Sequence, residues 1–158
     1  DVCSSDLDKA EPIKGLPLVF LLRDYKGKDS NDNSIVTYMQ TDQLKALFMG
    51  DAGTEAEAAL LQRYDLAVDV LKVGHHGSDT SSSLSFLHEL QPQLALVSAG
   101  RNNRYHHPST AIMQRLRQEN IPALVSARDG AVSIRFSRYF SYYVSAEGAI
   151  GILHGLWE

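Results

Sequence analysis

The chain reads as a layered α/β domain, and three observations predict it. Short apolar runs alternate with stretches of helical spacing from Leu18 onward. The 158 residues are 44% hydrophobic with charge spread throughout, enough to bury one core rather than stay disordered. Three polar clusters each begin where an apolar run ends, the position at which layered α/β folds present ligand sites.

Leu18 to Leu22 is the first predicted strand, and the polar, glycine-containing segment Asp24 to Asn33 a loop. Ser34 to Met39 and Lys45 to Met49 form a predicted hairpin around Thr41-Asp42-Gln43. A helix begins near Thr54, where Thr54-x-x-Glu57 has the form of a capping box, and Ala56, Ala59, Leu60 and Tyr64 recur at helical spacing. Val68 to Val73 is a strand feeding straight into His75 and His76. A second helix carries Leu84, Leu87 and Leu90 behind Ser81-Ser82-Ser83, which supply its N-cap. Leu94 to Ala99 is a strongly apolar strand ending at Gly100. Pro108-Ser109 opens a third helix with Ile112, Met113 and Leu116, closed by Asn120 and Pro122. The strand Ala123–Ala127 is followed by an antiparallel run of Ala131–Phe136, Tyr142–Ser145 and Ala149–Leu153.

Bulk properties exclude several classes. A net charge of −4 gives no global basic field, so nucleic-acid contact would need local Lys/Arg groups or a metal site. Leu16 to Leu22 is the longest apolar stretch, far short of the roughly 20 residues of a membrane span. The N-terminus is acidic and polar, unlike a secretory signal. Cys3, the single cysteine, rules out an internal disulfide and a cysteine-based zinc site. Residues 1–7 read like a translated sequencing-library adapter, so the natural gene is expected to continue upstream of residue 8, and residues 8–158 to be part of a larger domain.

The chemistry-bearing residues sit in the three post-strand clusters. Asp51 follows Leu47-Phe48-Met49-Gly50, His75 and His76 follow Val70-Leu71-Lys72-Val73-Gly74, and Asn102 to His107 follow Leu96-Val97-Ser98-Ala99-Gly100. A carboxylate with neutral imidazoles is a ligand set for zinc or a similar cation, and an open position admits a water. Such a site lowers the pKa of its water toward neutrality and so supplies a hydroxide nucleophile. The glycines flanking the histidine pair allow tight turns. Each cluster also has an ordinary reading: Asp51 as a turn residue, His107 as a pre-helix loop residue, His88 as a helix-surface histidine and His154 as a loop residue. Lys72 either contacts a phosphate or caps the sheet, and Arg101 and Arg104 either steer a phosphodiester or are solvated. The serines at 78 and 81 to 83 suit capping better than nucleophilic catalysis, because no acid–base partner stands at a suitable spacing.

Asn33-Ser34-Ile35-Val36 and Phe48-Met49-Gly50-Asp51, with Glu55 and Glu57, resemble the middle of a metallo-β-lactamase-fold hydrolase. The blocks Asp69 to Ser83 and Ser98 to Ser109, with Asp129-Gly130-Ala131-Val132, resemble the C-terminal hydrolase domain of the ComEC/Rec2 competence proteins, and the likeness runs from about residue 31 to residue 136. The resemblance implies the C-terminal portion of an αββα fold and a site for two divalent ions, zinc or manganese. It makes Asp51 and His75 metal ligands, with His75 favoured over His76. It gives His76 and His107 catalytic roles, and Lys72, Ser78, Asn103, Arg104 and His106 contacts to substrate. Single-stranded DNA is the implied substrate, the membrane channel region of the same protein the implied partner, and no nucleotide cofactor is implied. The implied setting is a bacterial plasma-membrane protein with this domain outside the cytoplasm.

Two departures stand out. The family's His-x-His-x-Asp-His motif is absent from these residues, which predicts weak metal binding and exposed apolar surface for this chain. His106 stands where the family has glycine, which predicts an extra ligand or backbone strain at the rim. A self-standing hydrolase and a non-catalytic DNA- or partner-binding domain are the alternative readings. The tyrosines after residue 138 are expected to pack a last hairpin.

Overall fold

The computed structural model describes residues 10–137 and 140–155, with the backbone alone for His154 and Gly155. The adapter-like residues, Cys3, Tyr139 and Trp157 lie outside the described residues. A seven-stranded sheet has the spatial order β1 (Glu11–Pro12), β2 (Leu18–Phe20), β3 (Thr37–Gln40), β4 (Lys45–Phe48), β5 (Val70–Lys72), β6 (Leu94–Val97) and β7 (Ala123–Val125). The strands up to β4 pair antiparallel as a meander, and β4 through β7 pair parallel. Helices α1 (Thr54–Arg63), α2 (Leu84–Leu90) and α3 (Thr110–Gln118) make the three parallel crossovers, and a short α4 (Ser126–Asp129) follows β7. Strand order advances in one direction, so right-handed crossovers place α1, α2 and α3 on one face.

A second sheet of β8 (Val132–Phe136), β9 (Phe140–Ser145) and β10 (Ile150–Gly155), in the order β10-β9-β8, covers the opposite face. Alternation along the parallel strands explains both coverings. Leu47, Leu71 and Ala95 share a core with Ala56, Leu60, Phe86, Leu87, Ile112 and Leu116 from the helices. Ala46, Val70, Leu94 and Leu124 pack instead with Leu153, Ile134 and Tyr143 of the second sheet. A strand buried on both faces must be apolar at every position, which is why β6 reads as a continuous hydrophobic run.

The expected α/β class and the order of elements hold, and the observed layering is helix–sheet–sheet. The outer face of the small sheet carries Ile150 and Ile152, 70% and 71% exposed. Two local expectations change. Thr54 is the first residue of α1 rather than its cap, and Gly53 stands at the N-cap without a side-chain bond. Glu57 is buried and turned away from the helix start, its carboxylate accepting the backbone N–H groups of Ser82 and Ser83. The strand expected to run to Ala127 ends at Val125, because the buried Asp129 carboxylate accepts the Val125 N–H and closes a helical turn. Ser83 and Ser109 cap α2 and α3 as expected, accepting from Phe86 and Ile112.

Candidate functional site

The C-terminal ends of β4, β5 and β6 are neighbours, so the three polar clusters emerge side by side. Backbone bonds join them directly. The His75 N–H donates to the Gly50 carbonyl at 3.0 Å, and the Ser109 N–H donates to the Gly77 carbonyl at 2.9 Å. Close approach depends on two glycines. A Cβ on Gly74 would stand 2.5 Å from the Ala52 carbonyl oxygen, and one on Gly77, at φ +83°, would stand 2.8 Å from Pro108 Cβ.

The loops are conformationally strained. His75, His76, Ser82, Asn102 and His106 all have positive φ, between 46° and 56°. Left-handed backbone is unfavourable for residues with a Cβ, and its clustering marks places where the surrounding structure enforces a geometry. His106 at φ 56° bears out the strain expected at a position where glycine would be at ease. His75 and His76 adopt the left-handed region in succession, which turns their rings in different directions.

His76 is the histidine that meets Asp51. Its Nε2 lies 3.4 Å from Asp51 Oδ1, while Nδ1 lies 2.8 Å from the Ser98 carbonyl oxygen. A carbonyl only accepts, so Nδ1 carries a proton, and Nε2 is the atom turned toward the carboxylate. This is the arrangement by which metal-binding histidines are oriented through their second nitrogen. The Ser34 hydroxyl accepts the Asp51 N–H at 3.2 Å and steadies the other partner. His75, favoured as the ligand from resemblance, points elsewhere: Nδ1 is 3.4 Å from the Thr80 hydroxyl, and its ring meets His107 edge-on at 5.9 Å.

The remaining expected residues divide between site and scaffold. Lys72 is half-buried, its ammonium donating to the Val73 carbonyl at 2.8 Å; burial lowers its pKa, against the pull of Asp51. Ser78 is buried and bonded within its own loop to the Thr80 hydroxyl at 3.0 Å, which gives it a loop-forming role. Asn103 is likewise bonded within its own loop. Its amide donates to the carbonyls of Gly100 and His107, and its Oδ1 accepts the His107 N–H, which uses both of its donors internally. His107 lies beside His75, with Nδ1 buried and unbonded. Burial, then the neighbouring His75 and His76, lower its pKa. Arg104 and His106 are exposed on the same loop.

Four contributors escaped sequence reading. The Ser98 carbonyl is a backbone group with no residue signature. Glu57 and Arg115 jointly hold the loop after the histidines, Arg115 donating to the carbonyls of Asp79 and Ser81 at 3.1 and 2.8 Å. Glu57 has the spacing of a capping residue, and nothing in the local sequence sets Arg115 apart. Tyr105, an aromatic among arginine and histidines, was the one legible signal left unused.

The chain is 38% identical over 107 residues to ComE operon protein 3 of Bacillus subtilis. It is homologous to part of the ComEC/Rec2-type competence proteins. It is also 36% identical over 115 residues to the competence protein ComA of Neisseria gonorrhoeae, and 33% identical over 106 residues to recombination protein 2 of Haemophilus influenzae. These alignments cover 67%, 72% and 67% of this chain and 14%, 17% and 13% of the respective relatives, so the chain spans about one seventh of their length. No protein-family model matches the chain. Among the described residues no helix is long and apolar enough to cross a membrane.

Proposed function

We propose that these residues form one side of a metal-dependent phosphodiesterase site, of metallo-β-lactamase type, in a DNA-uptake protein of the competence family. The observation that carries the reading is the pairing of Asp51 Oδ1 with the Nε2 of a histidine whose Nδ1 is held by a carbonyl. With the imidazole neutral, Nε2 and Oδ1 are two acceptors 3.4 Å apart, an edge that a cation relieves. By themselves the two do not fit a metal centre. Zinc sites use three or four protein ligands, and no three His, Cys, Asp or Glu side chains come together among the described residues. The reading therefore needs further donors from outside these residues.

In this reading Asp51 and His76 are ligands and His75 is a rim residue. His107 lies where a leaving group or phosphate would rest, and Asn103 positions it. The substrate is DNA, the partner is the membrane-embedded remainder of the same protein, and the domain lies outside the cytoplasm. The incomplete donor set favours a second reading, in which the surface binds nucleic acid without turnover. One experiment separates them: cleavage of single-stranded DNA by the longest natural protein containing these residues, assayed with and without chelator. Loss of cleavage in Asp51→Ala and in His76→Ala, with His75→Ala retaining more, supports the hydrolase. Undiminished cleavage in Asp51→Ala overturns it, and chelator-insensitive binding with no cleavage assigns the second reading.

A further inference from the structure

Beside the Asp51–His76 pair lies a ladder of rings that neither ligation nor packing explains. Tyr105 is 62% exposed, yet its ring stacks on His107 with centroids 5.7 Å apart and planes only 17° apart. The Arg104 guanidinium carbon lies 4.6 Å from the centre of the same ring, and Arg104 also donates to the Tyr105 hydroxyl. His107 passes the series on to His75 at 5.9 Å. The segment is held firmly behind the exposed ring, since Asn103 bonds the His107 backbone on both sides and Ser109 is tied to Gly77.

A tyrosine serving only to cover His107 would bury its ring, and this one leaves most of its surface to solvent. Exposed aromatics with adjacent arginine are the means by which proteins hold unpaired bases, because every base has a π-face. Bases within a duplex already stack on one another and cannot reach such a ring. The net charge of −4 supplies no general attraction for a polyanion, so recognition must be local, and Arg101 and Arg104 flank the platform.

We propose that Tyr105, with Arg104, is a stacking platform for a base of a single-stranded polynucleotide, which makes the site select unpaired strands over duplex. The strand's path past Asp51 and His76 rests on the hydrolase reading above, but the stacking itself does not. Binding is therefore measured without turnover, in EDTA, on the full 158-residue chain. The probes are oligo(dT) and oligo(rU) carrying one 2-aminopurine, and a duplex of equal length. Tyr105→Ala is expected to weaken single-strand binding roughly 5- to 150-fold and to abolish the 2-aminopurine quench. Tyr105→Phe keeps both, and Arg104→Gln weakens binding and reduces its salt dependence. The tighter of the two oligonucleotides names the sugar the site prefers. Unchanged affinity in Tyr105→Ala, or duplex bound as tightly as single strand, overturns the proposal whatever Asp51→Ala does to cleavage.

Discussion

Replacing Gly77 with alanine tests whether the histidine loop and the 102–109 loop are locked by close backbone approach. The new Cβ would stand 2.8 Å from Pro108 Cβ, and 3.1 Å from both Pro108 Cα and Val97 Cγ1. A proline ring cannot rotate aside, so the crowding costs about 1–3 kcal/mol, as overpacking does elsewhere. The φ of +83° adds about 1–2 kcal/mol for a residue with a Cβ. Reduced freedom of the unfolded chain returns about 0.4–1 kcal/mol. The net loss is about 2–4 kcal/mol, which lowers the melting temperature of a domain this size by roughly 5–15 °C. Gly100→Ala is the matched control: nothing lies within 4 Å of its Cβ, and its φ is not in the left-handed range. That control should move the midpoint by less than about 2 °C. Thermal unfolding followed by far-UV circular dichroism reads both. Equal shifts in the two variants would refute the reasoning, because the glycine would then matter only as a flexible link.

Two further predictions concern the loop behind the histidines. Burial raises the Glu57 pKa above its ordinary value of 4.5, outweighing the N–H groups of Ser83 and Ser82 and the charge of Arg115. The folded state then binds more protons than the unfolded one, so wild-type stability falls as pH rises from about 4.5 through the folded-state pKa. Glu57→Gln should lack that slope in urea titrations, and parallel curves for the two proteins would contradict the burial argument. Arg115→Met removes the charged donor to the Asp79 and Ser81 carbonyls and should cost about 1–3 kcal/mol. Its sign is faster hydrogen exchange at the Ser81, Ser82 and Ser83 amides, and unchanged protection there would show that the loop holds itself.

The loop between β5 and α2 illustrates what was readable in advance and what was not. Val70 to Val73 is apolar and the serines before Leu84 are strong caps, so the strand, the helix and the polar segment between them follow from local preference. Which histidine faces Asp51 does not follow. It depends on successive left-handed turns at His75 and His76, enforced by Gly74 packing on Ala52 and by the Ser98 carbonyl just beyond β6. Glu57 misled for a related reason: its spacing from Thr54 satisfies a helix-start pattern, while its partners lie 25 and 26 residues away.

From sequence alone come the α/β class, the order of elements and the three post-strand clusters, because these rest on periodicity, caps and apolar runs, all properties of neighbouring residues. Tertiary structure decided that His76 rather than His75 faces Asp51, that Ser78 and Asn103 build loops, and that Tyr105 stands exposed on a ring ladder. Those outcomes turn on backbone carbonyls and glycine contacts contributed by distant strands, and no local pattern of side chains encodes them.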